Sequence, residues 1–176
     1  MDREVAETSA SPDLETALTT DDRLELRVWL RLLTCTTLLD GHVRSRLRRE
    51  FDTTLPRFDL MAQLDRAPDG LTMGALSRRL MVSNGNVTGL IDRLVGEGLV
   101  ARRPAPGDRR AQVVRLTARG GRAFDRMTPA HQSWVEDLLG GLDRRQMAAL
   151  YEGLGQLKSS LVANGAGDTN NGKRRA

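Results

Sequence analysis

The chain has 176 residues, and 27 basic against 23 acidic side chains give it a formal net charge of +4. Hydrophobic residues at 39% with charged residues at 28% are enough for one compact core, which excludes disorder over the whole chain. One cysteine excludes an internal disulfide, and there is no zinc-ligand spacing, membrane-spanning apolar run or secretory signal, so we expect a cytoplasmic protein without a metal or cofactor.

The basic excess is concentrated in one segment. Residues 1–20 have a net charge of −4 and residues 164–176 have +2, whereas residues 102–122 hold seven arginines against Asp108, a net of +6. The rest of the chain between the two tails is therefore neutral. Such a local excess is typical of a surface that binds a polyanion. The alternative is a solvated loop in a chain that uses arginine rather than lysine.

The N-terminal part of the chain predicts a tail followed by a long helix. Residues 1–20 and 163–176 lack periodic apolar residues, and we expect both segments to be disordered. From Asp21 to about Phe51 the apolar residues cover more than one side of a helix, and a helix in a chain this short cannot bury such a surface alone. We expect a second subunit to cover it.

The middle of the chain predicts a helix-turn-helix motif. A second helix starts at Pro56 and ends before the breaker sequence at 68–70. Thr72 and Ser83 are suitable N-caps for two short helices, 73–80 and 84–97, which a tight turn joins. This arrangement is the helix-turn-helix pattern.

The following residues predict a β-hairpin and two more helices. Residues 99–103 and 112–116 favour short strands joined by a loop over 104–110, and a hairpin directly after a helix-turn-helix is a wing. Helices follow at about 117–139 and 144–162; Asp143 is a suitable cap for the second, which has an apolar face. The expected fold is mainly α (α+β): a winged helix-turn-helix over 56–117, with dimerisation helices over 21–55 and 118–162.

The helix at 84–97 has one apolar stripe and one small, polar face. Two exposed glycines on a short helix are destabilising, and close approach of the helix backbone to another surface is the usual reason for them. Small polar side chains can reach base edges or phosphates, an arginine can hold a phosphate, and the helix N-terminus offers N–H donors. The predicted DNA-binding residues here are Ser83, Asn84, Gly85, Asn86, Thr88, Gly89 and Arg93. The alternative is that residues 84–86 form only a flexible turn.

The tip of the wing supplies the other predicted DNA contacts, which are Asp108, Arg109 and Arg110. An arginine there could enter the minor groove, where A·T-rich sequences have a strong negative potential. Asp108 either pairs with a nearby arginine and orients the hairpin, or is present for its turn chemistry after Gly107.

The combined motifs resemble the MarR family of bacterial regulators over roughly residues 24–162. The resemblance rests on the order of Leu55-Pro56-Arg57-Phe58-Asp59, the run Val82-Ser83-Asn84-Gly85-Asn86-Val87-Thr88, Asp92-Arg93-Leu94, Gly98-Leu99-Val100, Asp108-Arg109-Arg110 and Leu116-Thr117. It implies a homodimer formed by the first and last two helices, with one winged helix-turn-helix on each half of a pseudo-palindromic operator in double-stranded DNA. The wing motif Asp-x-Arg of the family then falls on Asp108 and Arg110, and the usual mode of action is repression.

The same resemblance implies a small-molecule effector, often aromatic, in a crevice between the dimer helices and the DNA-binding lobe. Candidate ligand residues are Trp29, Leu33, Arg46 and Phe58, with ordinary core packing as the alternative for Trp29 and Phe58. The run 29–38 is similar to regulators of aromatic-acid catabolism, including those that respond to hydroxycinnamoyl-CoA thioesters. The effector is then an aromatic acid or an aromatic acyl-CoA.

Cys35 allows an alternative as a thiol-based redox sensor. Thiol-based members support the reactive cysteine with tyrosine hydroxyls, whereas the only tyrosine here is Tyr151, near the C-terminus. Cys35 lies in an apolar-rich helix, so we expect a buried structural cysteine.

Other classes of function remain as alternatives. An enzyme is not expected, because His42 and His131 are isolated and no Gly-rich phosphate loop occurs. A non-specific architectural DNA-binding protein would coat DNA uniformly, and a protein-interaction module would use the helical interface without DNA.

Overall fold

The computed structural model describes residues 23–105 and 108–165, with the backbone alone for residue 84 and residues 108–111. The predicted disordered segment 1–20 lies outside this part of the chain, as does most of the one predicted at 163–176; of the latter only residues 163–165 are described, and Ala163 belongs to a helix. The described residues form six helices and three strands in the order α1 (Leu24–Phe51), α2 (Leu55–Asp65), β1 (Leu71–Thr72), α3 (Met73–Leu80), α4 (Asn84–Gly96), β2 (Val100–Ala105), β3 (Asp108–Leu116), α5 (Ala118–Leu139) and α6 (Arg144–Ala163). This mainly helical chain with a small antiparallel sheet confirms the predicted fold class.

The chain divides into two compact units, Met1–Arg46 and Leu47–Ala176. In the first unit, α1 exposes several large apolar side chains, namely Leu24, Leu26, Val28, Trp29, Leu33 and Leu38. Cys35 is also exposed, so the expectation of a buried structural cysteine is wrong for the single chain. The apolar-rich sequence around Cys35 does not imply burial, because α1 has apolar residues on more than one side and several of them are exposed.

The second unit has a continuous apolar core. Pro56 lies in the first turn of α2, where the missing N–H would have no helical partner. The core is formed by Leu47, Phe58, Leu60, Met61, Leu64, Leu71, Leu76, Val87, Ile91, Leu94, Val100, Val113, Val114, Phe124, Met127 and Trp134. Helices α2, α3 and α4 and the sheet therefore form one body, as a winged helix-turn-helix requires.

The sheet is more extensive than the sequence indicates. Its strand order is β1-β3-β2, and β1 pairs Leu71 with Val114 although residues 71–72 were expected only to start α3. The expected loop at 104–110 is also wrong, since β2 runs to Ala105 and β3 begins at Asp108. Pro104 is tolerated because β2 is an edge strand with a register shift at Pro104/Ala105.

Gly120 allows α5 to start directly against the beginning of the hairpin. A Cβ at this position would lie 1.9 Å from the carbonyl oxygen of Leu99, which is a severe clash. The Thr117 side chain caps α5 by accepting from the Gly120 N–H at 3.0 Å and donates to the Gly98 carbonyl at 2.7 Å. Only glycine fits this close approach.

Helix α6 starts with a reciprocal capping box between Asp143 and Gln146, which confirms the predicted cap at Asp143. None of its residues is buried, and its apolar side chains remain exposed or half-buried.

Within residues 23–105 and 108–165, no helix is long and apolar enough to cross a membrane, and no group of three His, Cys, Asp or Glu side chains could hold a metal.

Candidate nucleic-acid interface

A short turn over residues 81–83 connects α3 to α4. Met81 ends α3 in the left-handed conformation, with φ 53°. The Ser77 hydroxyl donates to the Val82 carbonyl at 2.5 Å, and the Val82 N–H donates to the Ser77 carbonyl at 3.2 Å. Ser77 is itself buried, so its reciprocal pairing with Val82 holds the turn against the core.

Side-chain caps start both helices as the sequence predicts. The Thr72 hydroxyl accepts from the Ala75 N–H at 3.2 Å at the start of α3, and the Ser83 hydroxyl accepts from the Asn86 N–H at 3.4 Å at the start of α4. Each cap satisfies one of the unpaired N–H groups of a first helical turn.

Helix α4 has a fully buried face and an exposed face. Val87, Ile91 and Leu94 have no exposed surface, which confirms the predicted apolar stripe. The predicted DNA-binding residues of this helix whose side chains the structure describes all lie on the exposed side, namely Gly85, Asn86, Thr88, Gly89 and Arg93. Ser83 is exposed immediately before the helix.

Nothing in the described part of the chain packs closely against the two glycines on this exposed face. A Cβ added at Gly85 or Gly89 would meet nothing within 4 Å. At Gly89, in the interior of the helix, alanine would favour the helix by roughly 1 kcal/mol. Their presence therefore points to a surface outside this chain that the α4 backbone approaches closely.

The wing is attached to α4 by an ion pair. Arg102 on β2 donates to Asp92 on α4, with 2.5 Å between Nη2 and Oδ1. Asp92 lies on the exposed face of α4, and its pairing with Arg102 was not predicted from the sequence. Arg102 and Asp92 are ten residues apart, and the signal that could have found the pair is the turn at 97–99, which brings the edge of the hairpin beside the helix.

The wing strands place the predicted tip residues at the start of β3. In β2, Arg102 and Arg103 are paired in register with Val114 and Val113 of β3. Asp108, Arg109 and Arg110 belong to β3, but their side chains lie outside the described part of the chain, as does any ion pair of Asp108. Their contacts with DNA stay a prediction.

Comparison with known proteins agrees with this geometry. A model of the MarR family matches residues 51–111. The transcriptional activatory protein BadR of Rhodopseudomonas palustris is 32% identical over 125 residues, which cover 68% of this chain and 71% of BadR. This chain belongs to the MarR family of transcriptional regulators.

Solved structures of MarR family members have the same fold. A MarR family regulator from Silicibacter pomeroyi shares 34% identity with a TM-score of 0.67, and the match covers 78% of this chain and 94% of that one. A MarR family regulator from Streptomyces coelicolor, solved in complex with DNA, shares 25% identity with a TM-score of 0.70 over 81% of this chain and 93% of that one.

The basic cluster of this MarR family chain divides between two places. Five arginines of the segment 102–122 lie on the wing strands, but Arg119 and Arg122 lie on α5. There they line a cleft of about 640 Å³ together with Arg57 and Arg126. The basic excess of residues 102–122 is therefore shared between the wing and the cleft, because its last two arginines belong to α5.

All residues that line the cleft belong to the second unit, and the lining combines arginine side chains with apolar ones. Its lining also includes Phe51, Asp52, Thr53, Met61, Glu97, Leu99, Ala123, Asp125 and Met127. Arg57 forms an ion pair with Glu97, the residue that caps the C-terminus of α4. The Arg57 Nε is buried and has no hydrogen-bond partner among the residues described, a state that costs roughly 1–3 kcal/mol for a buried donor.

The predicted ligand residues have different environments. In the first unit, Trp29 is 57% exposed, Leu33 is exposed and Arg46 is half-buried. In the second unit Phe58 is 6% exposed, and its ring lies 4.5 Å from that of His131 and 5.4 Å from that of Phe124, centroid to centroid. Phe58 therefore packs in the core, and burial lowers the pKa of His131 below its usual value.

Proposed function

We propose that this MarR family regulator binds a pseudo-palindromic operator as a homodimer, with α4 in the major groove and the β2–β3 wing along the minor groove. The observation that supports this most directly is the exposed face of α4, where Gly85 and Gly89 leave open space beside polar side chains. A helix of this kind can bring its backbone close to base edges and phosphates.

Each predicted contact has a role in this proposal. Asn86 and Thr88 read base edges, Gly85 and Gly89 permit the approach, and Arg93 holds a phosphate. Ser83 and the N-terminal N–H groups of α4, including that of Asn84, bind a phosphate. Arg109 and Arg110 contact the minor groove, with Asp108 orienting them.

The homodimer is supported by apolar surface that the single chain leaves open. Helix α6 has no buried residue, and Leu150, Tyr151, Leu154, Leu161 and Val162 are exposed on it. Exposed apolar side chains also occur along α1. Such surfaces mark subunit interfaces, and we propose residues 21–55 and 118–162 as the dimerisation region and 56–117 as the DNA-binding lobe.

Regulation is proposed to follow from a small effector, an aromatic acid or its CoA thioester, which releases the operator and relieves repression. Trp29, Leu33, Arg46 and Phe58 are the proposed ligand residues. Trp29 supports this proposal most, because an exposed indole ring can stack on an aromatic ligand.

The test is a footprint on the promoter region next to the gene of this protein, repeated with aromatic acids and their CoA thioesters. We expect protection of one spaced palindrome and its loss with an effector. Uniform coating of the DNA would instead indicate an architectural protein, and unchanged protection with every compound would contradict the proposed effector class. Because BadR is named an activatory protein, the transcription assay should be able to detect activation as well as repression.

A double variant separates DNA binding from assembly. R109A/R110A should lower operator affinity and reduce the slope of log affinity against log salt by about 0.9 for each lost phosphate contact, while the dimer stays intact. Unchanged DNA affinity would instead favour a protein-interaction module.

The exposed Cys35 makes the thiol alternative testable as well, since the C35S variant should lose any response to peroxide if that alternative holds.

A further inference from the structure

The turn between α3 and α4 exposes two consecutive apolar side chains. Met81 is 91% exposed and Val82 is 40% exposed, and both come immediately before the Ser83 cap of α4. A single exposed apolar residue is common on protein surfaces. Two in succession, one of them almost fully open to solvent, form a small apolar surface that the described part of the chain leaves uncovered.

The backbone of Met81 has a conformation that methionine rarely adopts. Its φ of 53° and ψ of 37° lie in the left-handed region, where glycine or asparagine is usual at the end of a helix. Among the residues that the structure describes, Asp52 is the only other non-glycine residue with a positive φ. A side chain that strains the backbone and buries nothing points to a surface outside the chain.

The position of this turn is fixed by the core. Ser77 is 2% exposed and makes the reciprocal hydrogen bonds with Val82 that are described above. The Met81 N–H donates to the Arg78 carbonyl at 3.3 Å. The Met81 side chain therefore extends from a backbone that is held on both sides.

Two arginines flank the apolar surface. Arg78 and Arg79 lie in the last turn of α3, and both are exposed. Neither has an ion-pair partner in the structure of residues 23–105 and 108–165. A partner that satisfies this surface must carry negative charge beside an apolar group. A DNA strand has both, because phosphates alternate with bases along it.

The place of the turn relative to α4 selects the apolar group. In helix-turn-helix proteins the N-terminal residues of the second helix reach the base edges in the major groove. A residue two positions before the cap of that helix therefore lies at the edge of the groove. The apolar group that base pairs present there is the C5-methyl group of thymine. A flexible, polarisable thioether side chain can pack against it.

We propose that Met81 contacts the C5-methyl group of a thymine at the edge of each operator half-site. This inference rests on the proposed function, in which α4 lies in the major groove. It adds a determinant of sequence specificity in the turn, outside the predicted DNA contacts of α4 and the wing. Arg78 and Arg79 hold the neighbouring phosphates and contribute no sequence preference.

The experiment uses the full chain and the promoter fragment that is protected in the footprint. Each thymine of the half-site is replaced in turn by deoxyuridine, in both half-sites together, which removes only the methyl group. We expect one position at which the replacement weakens binding by the wild type about tenfold. The reason is that each lost methyl contact costs about fourfold in affinity, and the dimer makes two of them.

Three variants assign this methyl contact to Met81. M81G suits the left-handed backbone, so it should stay folded in urea unfolding, bind the thymine operator about tenfold more weakly than the wild type and lose the response to deoxyuridine at that position. M81L keeps an apolar side chain and should keep most of the affinity and of the response. D52G is the matched control, because Asp52 is the other left-handed residue, and it should respond as the wild type does.

The outcomes distinguish this inference from the proposed function. If no deoxyuridine replacement weakens the wild type, or if M81G responds to each replacement as the wild type does, the methyl contact is wrong, although specific operator binding still stands. If M81G binds every operator more weakly by one common factor, Met81 contacts the DNA backbone or only supports the fold, and the inference is again overturned. If the wild type protects no specific site, the proposed function fails and this contact fails with it.

Discussion

Asp92 on α4 accepts a hydrogen bond from Arg102 on β2 at 2.5 Å, which ties the exposed face of the helix to the base of the wing. Both side chains are partly exposed, so the pair contributes little to global stability. We expect it instead to orient the hairpin relative to the helix. The only acidic side chain on that face of α4 is thus neutralised by a wing arginine.

Substitution D92N should change recognition more than stability. The free energy of unfolding should change by less than about 1 kcal/mol, as is usual for exposed ion pairs. Specific operator affinity should fall relative to non-specific affinity, because the wing is no longer oriented and the released Arg102 can bind any phosphate. Competition titrations with unrelated DNA measure this ratio, with D69N as the control. An unchanged ratio would show that the pair does not orient the wing.

Substitution G89A should make the protein more stable and a weaker DNA binder. The added Cβ meets nothing within the chain, so the helix should gain roughly 1 kcal/mol, measured by urea unfolding. In the complex the same methyl group would stand between α4 and the DNA. G96A is the matched control, because Gly96 is also in open space but lies at the last position of α4. Equal operator affinity for G89A and the wild type would contradict the close approach.

His131 should make stability depend on pH. Burial lowers its pKa in the folded chain, whereas the unfolded value is the ordinary 6.5, so protonation favours unfolding. Its contribution is fully present above about pH 6.5 and is lost as the pH falls from there through the folded value. Urea unfolding at about pH 7.5 and about pH 5.5 should show this loss for the wild type and a smaller one for H131Q.

The matched control for this prediction is H42Q, which replaces an exposed histidine on α1. It should keep the pH dependence of the wild type. If H131Q and H42Q show the same dependence, the packing of His131 against Phe58 does not control it.

Substitution L154E should separate the subunits. Leu154 is 43% exposed on α6 in the single chain, and a charge there would be buried in the proposed dimer without a partner. We expect a monomer by light scattering after size-exclusion chromatography, together with weak operator binding. Q156E places the same charge on the other side of α6 and should leave the dimer intact. A dimeric L154E would argue against α6 as an interface.

The sequence by itself determined those parts of the fold that local rules control. Thr72, Ser83 and Asp143 act as helix caps where the sequence predicts them, because a cap involves only residues within one helical turn. The buried face of α4 follows directly from its 3.6-residue period. Family membership was also evident from the order of the motifs.

Contacts between residues far apart in the chain were not predictable from the sequence. Only the tertiary structure pairs Arg57 with Glu97, forty residues away, and places the Leu99 carbonyl where a side chain at Gly120 would stand. It also assigns Arg119 and Arg122 to a cleft and Cys35 to the surface. Charge and composition are sums over a segment, whereas the direction of each side chain depends on how helices and strands pack, and this packing divided one basic cluster between a wing and a cleft.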